Sequence, residues 1–156
     1  MLPMRHVVAA LMLVTAGLLS AGVGQTDMQD IPFTNLARGH HSGIHDARHV
    51  VIRDQAAWQT FLADFKPLPQ SARQLQEVDF NAYMVVGIFL GMRHSGGYQV
   101  VINRIVRDPN DNTISVQATE TLPLAGTFTI QVITYPYHLV RIPASSDAVK
   151  FLLAVP

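Results

Sequence analysis

Eight consecutive residues, Tyr83 to Leu90, are almost wholly apolar. A strand with one wet face alternates polar and apolar residues. An unbroken run of this length reads instead as a central strand buried on both faces. Such a strand needs ladder partners on each edge and a covering layer on each face. The rest of the chain has to supply both.

The segments that can do so follow in a definite order. Ile31 to Gly39 reads as a short strand with Ile31, Phe33 and Leu36 as its apolar positions. Gly39 to Asp46 has the composition of a loop, and Val50-Val51-Ile52 makes His49 to Arg53 a strand. Asp54 stands where a helix N-cap belongs, and Trp58, Phe61, Leu62 and Phe65 then recur at helical spacing. Pro67 and Pro69 end that helix, and a connection over 66–78 holds at most one helical turn around Ser71 to Gln76. Beyond Tyr83 the pattern is strands only: Tyr98 to Val106, Thr113 to Thr121, Phe128 to Thr134, Tyr137 to Ile142 and Val149 to Val155. In Tyr98 to Val106, Tyr98, Val100 and Ile102 share a face, and Val101, Ile105 and Val106 break the phase. One helix followed by strands joined by short turns predicts an α+β fold, a mainly antiparallel β-sheet with one principal helix packed on it. Parallel crossovers would need more helices than the second half contains.

The first 24 residues differ in kind. Arg5 lies in a short leading region, Val7 to Leu19 are apolar apart from Thr15 and Gly17, and Ser20, Ala21, Gly22 and Gly24 are small. That is the order of a secretory signal peptide, and the apolar stretch is short for a span of roughly 20 residues. The expectation is a signal peptide at 1–24 and one domain over 25–156, compact over about 31–156. The chain is then exported, periplasmic or extracellular, with no membrane span after cleavage. Without Arg5 the chain carries 10 basic against 11 acidic residues, a balance without the footprint of a nucleic-acid binder. It has no Cys, so the fold rests on its apolar core and thiol chemistry is excluded.

Catalytic and metal-binding motifs are sparse in the chain. Ser42 and Ser95 each follow a His, and neither sits in a nucleophile elbow. Asp108, Asn110 and Asn112 imitate the start of a calcium loop, which Thr113 and Thr119 then contradict, so 108–112 is a turn. Gly96-Gly97 lacks the third glycine and following helix of a dinucleotide loop and reads as a turn. His40, His41, His45 and His49 fall within ten residues. Imidazoles suit Zn²⁺, Cu²⁺ or Ni²⁺, and His40, His41 and His45 are the candidate ligands. The flanking Gly39 and Gly43 leave them without a fixed geometry, so no cofactor is expected.

Taken in order, several motifs resemble one family. They are Ser42-Gly43-Ile44, Val50-Val51-Ile52, Trp58, Val78-Asp79-Phe80, the apolar strand ending Leu90-Gly91, Ser95-Gly96-Gly97-Tyr98, and Thr134-Tyr135-Pro136-Tyr137-His138-Leu139-Val140. Their order and spacing over about residues 40–155 are similar to the C-terminal domain of PrcB, a subunit of a bacterial surface protease complex. The resemblance implies a non-catalytic module that binds another envelope protein, such as a protease. The chain departs from the founding protein in having no lipid-acceptor Cys and in its His-rich loop. Pro136 reads as an edge-strand break. Half-polar aromatics are enriched at interfaces, so the candidate partner-binding residues are Gly96, Gly97, Tyr98, Tyr135 and Tyr137. The alternative is a periplasmic small-molecule or metal-binding protein that uses the His40–His49 loop.

The leader makes a direct prediction: the exported protein lacks about 21–24 N-terminal residues. Intact mass checks it, and a retained Met1 would overturn it.

Overall fold

A computed structural model describes residues 27–72, 75 and 77–156, and the signal-peptide reading falls outside them. In chain order its elements are β1 (Gln29–Asp30), β2 (Thr34–Gly39), β3 (Arg48–Ile52), α1 (Gln55–Asp64) and a single turn α2 (Pro69–Ala72). These are followed by β4 (Tyr83–Phe89), β5 (Gln99–Asp108), β6 (Thr113–Thr121), β7 (Tyr137–Pro143) and β8 (Ala148–Ala154). The strands form two four-stranded sheets, ordered β1-β5-β6-β8 and β2-β7-β4-β3. Every pairing is antiparallel except that of β6 with β8.

The fold is α+β and mainly antiparallel, but two sheets stand where one was expected. The apolar run explains why. On β4, Val85 and Phe89 point to one side and Met84, Val86 and Ile88 to the other. The first set meets Trp58, Phe61 and Phe65 of α1 and its C-cap, with Leu139 and Tyr137 of β7. The second meets Val100, Ile102 and Ile105 of β5 and Ile114, Val116 and Ala118 of β6. One ten-residue helix covers one face of the β2-β7-β4-β3 sheet. Only a second sheet is broad enough to cover the other. The layers are therefore helix, sheet, sheet.

Local chemistry fixes the helix as the sequence suggests. Asp54 is extended, and its Oδ1 accepts a 2.8 Å hydrogen bond from the Ala57 N–H. The aromatic stripe builds a continuous ring cluster: Trp58 stacks on Phe61 at 5.5 Å, and Phe65 meets the Tyr137 ring edge-on at 5.0 Å. Truncating a ring such as Trp58 to Ala would cost on the order of 3–5 kcal/mol.

Two bulges account for irregular patterns in the sequence. In β5 the pairing steps from Ile102↔Ala118 to Arg104↔Gln117, so Asn103 is the extra residue. The bulge returns Ile105 to the face shared by Val100 and Ile102, which removes the phase conflict. In β2 the pairing skips Leu36, so Leu36 and Ala37 are buried in succession on one side.

His138 lies between these bulges. It projects from β7 into the space between the sheets and is 2 % exposed. Its Nδ1 accepts from the Ile102 N–H at 2.8 Å, beside one bulge, and its Nε2 sits 2.8 Å from Asn35 Oδ1, beside the other. A backbone N–H only donates, so Nδ1 is unprotonated and Nε2 carries the hydrogen donated to Asn35. Burial, and then the positive charge of Arg38, push the imidazole down to about 4.

This generates a pH prediction with a definite sign. The folded state refuses a proton that the unfolded state takes up near pH 6.5, so the contribution of His138 is complete above that pH. It is lost as the pH falls from about 6.5 to about 4, and amounts to roughly 3 kcal/mol in all. Urea unfolding at pH 7 and pH 4.5 should show a larger loss for the wild type than for His138→Leu. Equal losses in the two proteins would overturn the assignment.

Candidate functional site

The candidate residues 96–98 and 135 gather at one end of the molecule, where β4 and β6 finish and β5 and β7 begin. The chain turns sharply after β4 at Gly91, whose φ is +73° and where a Cβ would lie 2.6 Å from the Ala47 nitrogen. That contact seats the turn against the histidine loop, and the Met92 N–H donates to the His45 carbonyl at 2.8 Å. Arg93 and Thr134 then exchange both backbone hydrogen bonds, at 2.8 and 2.9 Å.

Arg93 braces this end. Its Nη1 donates to the Leu90 carbonyl at 2.7 Å, its Nη2 pairs with Glu120 Oε1 at 3.0 Å, and its guanidinium lies 5.4 Å from the centre of the Tyr98 ring. Glu120 is buried, so this ion pair is shielded from water on the carboxylate side. Further bonds tie the glycine turn to the segment before β7. Thr134 Oγ1 donates to the Ser95 carbonyl at 3.1 Å, and the Gly96 N–H donates to the Ile130 carbonyl at 2.9 Å. Gly97 has φ +92°, which favours glycine, and a Cβ there would press on Pro123 at 3.1 Å.

On this base stands a ledge, residues 122–133, absent from the sequence-based expectation. Phe128 to Thr134 was expected to be a strand. In the structure 128–133 belong to no ladder, and Thr134 makes only the bridge to Arg93. The chain has to pass here from β6 in one sheet to β7 in the other, so it leaves both ladders. Its apolar side chains face water: Leu124 and Ile130 are each 78 % exposed, and Phe128 is fully exposed. A hollow of about 470 Å³ lies between Phe128, Ile130, Leu122, Pro123 and the Gly96-Gly97 turn. A surface of this kind is the usual mark of an interaction site.

The remaining candidates divide. Tyr135 is partly buried, with its ring 4.9 Å from that of His45. Tyr137 is a correction. It is 1 % exposed, lies in the aromatic core beside Phe65 and Phe89, and presents no surface to a partner. Pro136 is another: it precedes β7, a central strand, and its carbonyl accepts from the Leu90 N–H.

The histidine loop is stitched down by backbone bonds. The Tyr135 N–H donates to the His40 carbonyl at 2.7 Å, the Ser42 N–H to the Tyr135 carbonyl at 3.2 Å, and the Lys66 N–H to the Ser42 carbonyl at 2.9 Å. His40 Nδ1 donates to the Tyr98 carbonyl at 3.1 Å. His49 lies apart, stacked on Phe151 of β8 at 4.5 Å. Among the described residues, no group of three or more His, Asp or Glu is placed to hold a metal ion. Ser42 Oγ accepts from the Ile44 N–H, and Ser95 Oγ donates to the Gly96 carbonyl.

The family model described as PrcB C-terminal matches residues 84–143, from β4 through the ledge to the end of β7. No curated protein and no solved structure matches the chain.

The brace under the ledge is testable by double substitution. Arg93→Met strands the Glu120 carboxylate and should cost about 2–4 kcal/mol, while Arg93→Met combined with Glu120→Leu should recover part of that loss. Denaturant midpoints measure both. A single-variant loss below about 1 kcal/mol would show that the pair braces nothing.

Proposed function

We propose that this chain, whose residues 84–143 match the family model described as PrcB C-terminal, is an exported, non-catalytic protein-binding module. In this reading it is an accessory or stabilising subunit of an envelope protease complex. The observation that carries the reading is the ledge, which lies within the family segment. Leu124, Phe128 and Ile130 stand in water over a base held rigid by Arg93, Glu120 and Thr134. Exposing three large apolar side chains costs free energy in an isolated chain, and a protein partner that covers them recovers it. Mounting them on a braced base limits the entropy lost on binding. The alternative, a metal or small-molecule protein built on the His40–His49 loop, has less support. His40 is engaged by Tyr98, His45 lies against Tyr135, and His49 is on another face.

Photo-crosslinking in the native envelope tests the proposal. A photoreactive phenylalanine analogue at position 128 should yield a stoichiometric adduct with one envelope protein, identified by mass spectrometry as a protease or a protease subunit. Phe128→Asp should abolish co-purification at unchanged melting temperature. Capture undiminished by that substitution, or the absence of any stoichiometric adduct, would sink it.

A further inference from the structure

Residues 127–133 read Thr-Phe-Thr-Ile-Gln-Val-Ile. Phe128, Ile130 and Val132 alternate with Thr129 and Gln131, the period-two pattern of a half-buried strand. In the structure this strand sequence has no strand partner, and its apolar side chains are exposed. Native sheets guard such runs with charges, yet no Asp, Glu, Lys or Arg occurs between Glu120 and Arg141. The Val132 N–H closes a one-residue turn onto the Ile130 carbonyl at 3.0 Å, and the same carbonyl accepts from the Gly96 N–H at 2.9 Å.

We propose that this segment docks a second copy of the chain, the two runs lying antiparallel about a two-fold axis at Ile130. That register is self-complementary. Phe128 falls opposite Val132 on the apolar face, and Thr129 falls opposite Gln131 on the polar face. Aromatic with β-branched and polar with polar are favourable cross-strand pairs. Straightening the turn at Gln131 leaves the Ile130 carbonyl on the Gly96 N–H, so Ile130 forms a non-hydrogen-bonded pair and the shared ladder runs through Thr129 and Gln131.

Charge selects a copy over other occupants. A lipid surface favours cations beside an apolar tip, and the nearby Arg93 guanidinium is committed to Glu120. A charged partner would meet no opposite charge along the run. A second copy brings an uncharged strip of equal length on a chain close to charge balance, and one patch serves both sides of the contact. The inference rests on the reading of the ledge as a protein-binding surface and adds its occupant when no protease is present.

The chain has no Cys, so a single introduced thiol reports the register. Opposed residues in an antiparallel pair have Cα atoms about 4.5–5.5 Å apart, within disulfide reach. Under diamide, purified Ile130→Cys should form a disulfide-linked dimer about tenfold faster or more than Leu152→Cys, an exposed position on β8. Sedimentation equilibrium should show a monomer–dimer equilibrium for the wild type. Ile130→Lys should weaken it about tenfold or more at unchanged melting temperature. Equal crosslinking rates, a monomeric wild type, or a dimer that survives Ile130→Lys would overturn the proposal. So would binding of a monomeric wild type to phosphatidylglycerol vesicles. These measurements use the purified chain alone, so their failure leaves the envelope-partner reading standing, and failure of envelope crosslinking leaves the dimer standing.

Discussion

The architecture depends on a pair of strands, β4 and β7, that lie side by side in the middle of their sheet with no face open to water. Their backbone groups are satisfied by each other and by β2 and β3. Their side chains divide between two apolar cores. Both covering layers follow from this. The aromatic stripe of α1 seals one side, and β5 and β6 seal the other. A polar group placed on these strands has to find its partners inside the protein. His138 does so by reaching the backbone of one sheet and the side chain of a strand in its own, and both contacts fall at bulges. The bulges and the histidine therefore form one arrangement: the extra residues aim Ile102 and Asn35 at a ring that would otherwise be buried without partners.

The exposed ledge is the counterpart of that rigidity. A chain that fills two stacked sheets has to cross between them, and the crossing from β6 to β7 carries the longest connection in the second half of the molecule. Scaffolds of this kind commonly place binding residues on such crossings, because the sheets hold the ends while the segment itself is free to serve a partner. Here the ends are held by a two-way backbone bridge and by a guanidinium shared between a carbonyl, a buried carboxylate and an aromatic ring. What lies between them is apolar and bears no charge.

Much of this was legible in the residues. The apolar run identified the doubly covered strand, Asp54 and the aromatic spacing placed the helix, and the turn over 108–112 appears where Asp and Asn are dense. The division into two sheets was not legible, because strand pairing is decided by residues far apart in sequence and local patterns carry only which face is apolar. The phase break at Val101 to Val106 was visible, but its cause, a bulge at Asn103, depends on the neighbouring strand. The segment after Leu122 misled for a physical reason. Its alternation and β-branched content are those of a strand, and it lacks only an edge to pair with. Tyr137 misled in the opposite way. The choice rested on the enrichment of half-polar aromatics at interfaces, whereas its place in β7, one residue from His138, turns its ring toward α1. Gly96 and Gly97 were read as a turn, where Gly97 has φ +92°, and Tyr98 was chosen as a half-polar aromatic; the uncharged stretch beside them was the signal for the exposed ledge.

The parallel pairing of β6 with β8 has a consequence for how the molecule assembles. Between those two strands the chain leaves its sheet, contributes β7 to the middle of the other, and returns. Thr113 pairs with Ala148 only after everything between them has been placed. The sheet that holds β6 and β8 therefore closes across the whole of the intervening chain, β7 included. Contacts between residues so distant in sequence make folding slow. A chain held up before its last strand docks would present the open edge of β6 together with the ledge, two stretches of unpaired backbone that invite aggregation.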